Sequence, residues 1–217
     1  MTRQDGFCCV SEALVNPPRI FQNLIPNCKQ IAIKSKSRQY SQADKSFMKE
    51  EIQKLLAEDI IEPFVSPWRA QVVVIKSGTH KRRMVIDCCQ TVNRFTLLDA
   101  YPLHRIDDQI NEIAQHKYFS TLDLTSVYYQ ISLAIEDRPF TAFEANGKIY
   151  QYCHLPFGVT NGISAFQRIK DGVIEQHELK GTFACLDNIA MVGRSQHEHD
   201  KYFCLPPSCE ESSPYPQ

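Results

Sequence analysis

The 217-residue chain lacks the surplus of positive charge that marks many nucleic-acid binders: 24 Lys and Arg stand against 25 Asp and Glu, for a net charge of -1. Any contact with nucleic acid must therefore be local rather than a property of the whole surface. No apolar run approaches the ~20 residues of a membrane-spanning helix. Met1 to Val10 holds Arg3 and Asp5 without the apolar stretch of a signal peptide. The expectation is a soluble, intracellular, non-secreted chain with no membrane partner. No Cys-x-x-Cys pair occurs among the nine cysteines, and without a secretion signal these read as reduced thiols rather than a disulfide framework. His197, His199, Cys204 and Cys209 come nearest to a ligand set. Their spacing fits no common structural zinc site, so they read as surface histidines and stray thiols. There is no internal repeat.

What is present is the composition of ordinary globular protein, 43% hydrophobic and 23% charged, enough for one large or two small cores. Residues 1–40 show no sustained period and carry Pro17, Pro18 and Pro26, which suits a lead-in with one or two edge strands. Ser41 with Asp44 opens a capped amphipathic helix through Phe47, Met48, Ile52, Leu55, Leu56 and Ile60, running until Pro63. Gln71–Ile75 and Arg83–Asp87 read as a hairpin with a basic tip, and Ile106, Ile110 and Ile113 as the buried face of a helix opening near Asp107 and Asp108. Strands are expected at Tyr118–Leu124, Ile131–Ile135, Thr141–Ala145 and Lys148–His154, the last two joined by Asn146-Gly147. A helix over about Ile163–Glu178 precedes two short strands within Thr182–Gly193, with Asp187-Asn188 at their turn. Runs of strands without regular β-α-β alternation predict an α+β fold, an antiparallel sheet covered by helices on one face. The proline-rich stretch from Leu205 is expected to be disordered.

Two carboxylates stand out by position. Asp123 ends the apolar strand Phe119-Ser120-Thr121-Leu122-Asp123-Leu124, and Asp187 sits at the tip of the apolar hairpin Phe183-Ala184-Cys185-Leu186-Asp187-Asn188-Ile189. Carboxylates at the rim of a core are costly unless neutralised, and neighbouring strands that each supply one can hold Mg²⁺ for phosphoryl chemistry. Each taken singly reads sooner as a turn Asp with local hydrogen bonds.

The surrounding motifs carry a resemblance. From about Asn27 to His199 the chain resembles the reverse transcriptase of gypsy-type long-terminal-repeat retrotransposons. The motifs are Ile60-Ile61-Glu62-Pro63 with Ser66-Pro67-Trp68, Arg83-Met84-Val85-Ile86-Asp87, Tyr101-Pro102-Leu103 with Arg105-Ile106-Asp107-Asp108, Phe119 to Gln130, Thr141-Ala142-Phe143, Leu155-Pro156-Phe157-Gly158-Val159-Thr160-Asn161, Phe166-Gln167 and Leu186-Asp187-Asn188. The resemblance implies the fingers and palm of an RNA-directed DNA polymerase within a Pol polyprotein, with dNTP and a primed RNA or DNA template as partners. It implies two Mg²⁺ ions, or Mn²⁺, as cofactor, and the cytoplasm or a virus-like particle as its place. It further implies that Asp123 and Asp187 are catalytic and bind metal with the Leu124 carbonyl, and that Asn188 completes the active-site turn. Arg83 would lie over the triphosphate with Lys76 or Lys81 adding a phosphate contact. Tyr128 would exclude a 2′-hydroxyl, and Phe157, Gly158 and Gln167 would hold nucleotide and template base. Apart from the resemblance, Arg83 and the lysines read as a solvated hairpin face, and Tyr128 and Phe157 as core aromatics.

The implied division is a lead-in over 1–40, fingers and the start of the palm over 41–118, palm over 119–204 and a tail over 205–217. Departures from the family pattern point to impaired catalysis. The turn reads Cys185-Leu186-Asp187-Asn188 where Tyr-x-Asp-Asp is usual, Cys88-Cys89 follows Asp87, and Val127 precedes the tyrosine. The family pattern also stops near Cys204, before a thumb. The competing expectation is a non-catalytic remnant that binds nucleic acid or protein.

Overall fold

The computed structural model describes Ile20, Phe21, Leu24 and residues 38–76, 82–124, 126–185 and 188–203. The chain forms two compact units that interleave along the sequence. One comprises Tyr101–Val127 with the part beginning at Phe166, the other Asn16–Ala100 with Tyr128–Ala165. The expected edge strands before residue 38, the hairpin tip at 77–81 and the tail from Leu205 lie outside the described residues, save for a bridge from Leu24 to Thr96.

The second unit begins with helix α1, Gln42–Ala57. Ser41 caps it as the sequence predicts, its hydroxyl accepting from the Asp44 amide at 3.2 Å. The helix is shorter than its apolar period suggested. Asp59 takes φ 54°, and the chain turns into strand β1, Ile61–Pro63, so Ile60 is buried beside a strand rather than on a last helical turn. Strands β2 (Ala70–Lys76) and β3 (Arg82–Asp87) form the expected hairpin ladder. Beyond them come a single-turn helix α2, Val92–Phe95, and, past the stretch belonging to the first unit, β5 (Phe143–Ala145) and β6 (Lys148–Tyr152). Asn146 and Gly147, at φ 49° and 76°, make the two-residue turn with both central residues left-handed that their sequence favours.

These strands assemble in the order β1-β6-β5-β2-β3. Every pairing is antiparallel except β2 with β5, which run parallel because a long crossover separates them. Trp68, Phe21, Phe143, Met48 and Val72 fill the core, where Trp68 meets Phe140 edge-on at 5.3 Å. The strand expected over Ile131–Ile135 is not formed. Val127–Gln130 is a 3-10 turn, and only Ser132 bridges to His154. Ile131 and Leu133 are buried as their alternation requires, but the chain then turns toward a second 3-10 turn at Arg138–Thr141, leaving Ile135 exposed.

The first unit holds helix α3 (Ile106–Ile113), strands β4 (Tyr118–Asp123), β7 (Thr182–Cys185) and β8 (Asn188–Gly193), and helix α5 (Gln196–Phe203). Helix α4, Gly162–Gln176, enters it from Phe166 onward. Its sheet is antiparallel in the order β4-β8-β7. The single sheet anticipated from sequence is therefore two sheets, one in each unit, within the α+β class that was expected.

One sequence expectation is reversed in this unit. Ile106 and Ile110, read as the buried face of α3, are 52% and 56% exposed, while Gln109 is only 9% exposed. Gln109 is turned inward to the outer strand β7, where its amide donates to the Ala184 carbonyl at 3.2 Å, and the isoleucines lie on the exposed side of the helix. His199, expected at the surface, is buried, with Nε2 at 3.0 Å from the Ser120 hydroxyl and Nδ1 at 3.1 Å from Asp200.

Candidate active site

Strand β4 alternates strictly. Tyr118, Ser120 and Leu122 turn inward, whereas Phe119, Thr121 and Asp123 face out. Leu122 pairs with Ile189 and Asp123 with Asn188 in the β4–β8 ladder. The outward face therefore ends in an exposed carboxylate directly opposite an exposed amide. Neither side chain has a hydrogen-bond or ion-pair partner among the described residues. Leu124 follows immediately, half-buried. Asp187, the other predicted catalytic carboxylate, lies outside the described residues, and among those described no group of three His, Cys, Asp or Glu is arranged to hold a metal.

In the same unit the predicted nucleotide contact Gln167 is buried. Its amide donates to Asp171 at 2.8 Å and to the Ala184 carbonyl at 3.3 Å. Two glutamines, Gln109 on α3 and Gln167 on α4, thus converge on one carbonyl of the edge strand β7. A cleft of about 510 Å³ opens beside this strand between Tyr101, Leu103, Gln109, Ile174 and Phe183. None of the predicted site residues that are described lines it.

The other predicted contacts belong to the second unit. Arg83 is exposed on β3 opposite Ile75, whereas Lys76 pairs with Arg82 and so points to the other face of the hairpin. That face is anchored to α1, with Lys76 and Arg82 at 3.6 and 3.7 Å from Asp44 and Arg82 donating to the Ala43 carbonyl at 2.9 Å. The Ser41 hydroxyl, and then the two cations, hold the Asp44 carboxyl below its ordinary pKa.

Tyr128 and Phe157 do come together. Their rings meet edge-on at 4.8 Å, and Phe157 also meets Tyr129 at 5.5 Å. Burial raises the Tyr129 phenol above its ordinary pKa, so it stays neutral at physiological pH. Phe157 is 44% exposed, a ring offered outward rather than a plain core aromatic. Gly158 beside it has φ +89°, a backbone state that a side chain would strain. Two asparagines missed as site residues hold this turn. The Asn93 amide donates to the Gly158 carbonyl at 2.7 Å and accepts from the Thr160 amide at 3.0 Å. Asn161 does the same for the Leu97 carbonyl and the Asp99 amide, both at 3.0 Å. Their only signal in sequence is an amide residue next to apolar motif positions.

A family model described as reverse transcriptase (RNA-dependent DNA polymerase) matches residues 74–204. The chain is 36% identical over 162 residues to the Retrovirus-related Pol polyprotein from transposon gypsy of Drosophila melanogaster, covering 72% of this chain and 16% of that one. It is 33% identical over 178 residues to the corresponding polyprotein from transposon opus of the same organism, covering 79% and 18%. Among solved structures, the foamy viral protease-reverse transcriptase in complex with an RNA/DNA hybrid superposes with a TM-score of 0.75 at 19% identity, over 87% of this chain and 24% of that one. The chain belongs to the reverse transcriptase family, and its resemblance to the gypsy-type retrotransposon members is borne out. It spans less than a fifth of the length of these polyproteins. Among the described residues no helix is long and apolar enough to cross a membrane.

Proposed function

We propose that this chain is the fingers and palm part of an RNA-directed DNA polymerase, which adds a nucleotide from a dNTP to a primer 3′-hydroxyl on an RNA or DNA template. The observation that carries the reading is the register of β4 against β8, which sets Asp123 opposite the residue that follows Asp187 in the chain. The foamy viral relative is described in complex with an RNA/DNA hybrid, which supports a primed template as the partner.

The family generally uses divalent metal ions. The donor chemistry fits: Asp123 is an exposed carboxylate with no cationic partner among the described residues, next to the Leu124 carbonyl, and hard oxygen ligands suit Mg²⁺ or Mn²⁺. Asp123, Asp187 and Leu124 would hold the ions. Bound there, two such ions would supply Lewis-acid stabilisation of the attacking and departing oxygens. The reaction joins the primer O3′ to the α-phosphorus and releases pyrophosphate. The other roles fall to the chain's own residues. Arg83, exposed on its face of the hairpin, meets the triphosphate, and Tyr128 with Phe157 and Gly158 receives sugar and base. Lys76 is the weaker phosphate contact because Asp44 already engages it. Asn188 offers an amide oxygen without a charge, so catalysis is impaired relative to a turn with two carboxylates.

Primer extension on the purified chain with Mg²⁺ or Mn²⁺ tests this. Slow synthesis that Asp123→Ala abolishes is the expected result, and synthesis unaffected by that change would overturn the assignment. A chain that binds primed template without extending it would favour the non-catalytic reading.

A further inference from the structure

We propose that Asn93 is a positioning residue for nucleotide selection, holding the Phe157-Gly158 turn against Tyr128 and so setting how strictly the sugar of the incoming nucleotide is discriminated. The inference rests on the polymerase reading above and adds to it a residue outside the expected contacts.

Phe157 and Gly158 lie in a turn, outside every strand, so no ladder fixes their backbone. The Asn93 side chain takes the place of a neighbouring strand. One amide group satisfies both the Gly158 carbonyl, at 2.7 Å, and the Thr160 amide, at 3.0 Å. Both distances are those of full hydrogen bonds, and the pair fixes direction as well as position. Asn161 pins the far end of the same segment to Leu97 and Asp99. Immediately before the first of these anchors Phe157 projects outward and meets both Tyr128 and Tyr129 edge-on. Tyr128 itself is tied into its own turn through its carbonyl, which accepts from the Ile131 amide at 3.1 Å. The separation of the Tyr128 and Phe157 rings therefore depends on where Gly158 is held, and Asn93 holds it.

Discrimination against a ribonucleotide turns on one additional hydroxyl, so a shift of the surface beneath the sugar by a fraction of an ångström changes it strongly. A general loss of structure would instead reduce all substrates alike. Asp at position 93 would keep the acceptor for Thr160 but set a carboxylate oxygen against the Gly158 carbonyl. Ala would remove both bonds.

The test compares the 217-residue chain with its Asn93→Asp and Asn93→Ala variants in primer extension, using a dNTP and the matching ribonucleoside triphosphate. KM for the dNTP should rise ~5-fold or more and the preference for deoxyribose fall ~10-fold, while kcat with dNTP and the Kd for primed template stay within about twofold. Equal changes for both sugars, or none, would overturn the proposal. Asn93→Asp is isosteric and serves if Asn93→Ala does not fold. A wild-type chain that extends no primer would sink the catalytic reading. The inference is then judged on the ratio of Kd values for the two triphosphates, which the variants must bring closer to one. An unchanged ratio, or no triphosphate binding, would overturn it.

Discussion

Asp123 and Asn188 face each other across the β4–β8 ladder, one carboxylate and one amide at the exposed end of a three-stranded sheet. Replacing Asn188 with Asp would place like charges directly opposite, which costs up to about 1 kcal/mol in a sheet. A divalent cation would relieve that repulsion. Asn188→Asp should therefore melt at lower temperature than the wild type in EDTA, recover with Mg²⁺, and extend primer ~10-fold or more faster. Melting curves with and without Mg²⁺, together with extension rates, check both halves.

The two glutamines on the Ala184 carbonyl give a second test. Gln109→Ala should destabilise the chain by about 1 kcal/mol, because Gln167 still satisfies the carbonyl. The double variant with Gln167→Ala should cost more than the sum of the two single ones, since only then is a buried acceptor orphaned. A double-mutant cycle by urea unfolding reads the coupling, and strict additivity would contradict the shared-acceptor geometry.

Acid should weaken the second unit in part through Glu62. Hydrogen bonds from Gln151, at 2.7 Å, and then from Arg138, at 3.3 Å, hold its carboxyl below the ordinary 4.5. A carboxyl whose folded pKa is lowered stabilises the fold above its unfolded value, and that contribution is lost as pH falls from about 4.5 through the folded pKa. The group is partly exposed, so the effect is small. Glu62→Gln should flatten the stability profile within that window and leave its slope near neutrality unchanged.

Cys88 and Cys89 should differ in reactivity although they are neighbours. Burial, reinforced by Asp87, pushes the Cys88 thiol up to about 12, while Cys89 is exposed. Brief iodoacetamide treatment at pH 8, read by mass spectrometry of the peptide spanning both, should label Cys89 and leave Cys88 free.

Local signals pointed to the right elements where one short-range rule dominates. The Ser41 cap, the Asn146-Gly147 turn and the β2–β3 hairpin all form as expected. The motifs also identified the family, because they report many positions at once. What failed were inferences from apolar periodicity alone. Ile110 is exposed while Gln109 is buried, its amide on a carbonyl of a strand 75 residues away that no local stripe reveals. Ile131 and Leu133 satisfy burial without a strand. The two sheets were not legible either, since partner choice depends on crossovers that no local window contains. In the site, the two short strands within Thr182–Gly193 were legible, but their register against β4 and the asparagine amides that hold the Phe157 turn were not. A side-chain amide looks the same in sequence whether it meets water or a backbone.

The interleaving of the two units bears on how the chain is made. Strand β1 has β6 as its sheet neighbour, and Glu62 and Gln151, bonded across that pair, are 89 residues apart. On a ribosome the β2–β3 hairpin is complete long before β5 and β6 emerge, and β4 must likewise await β8. Nascent chains stalled before Phe143 would thus carry Ile61 and Ala70 without their closing strands. Chaperone engagement would be greatest over that stretch of synthesis.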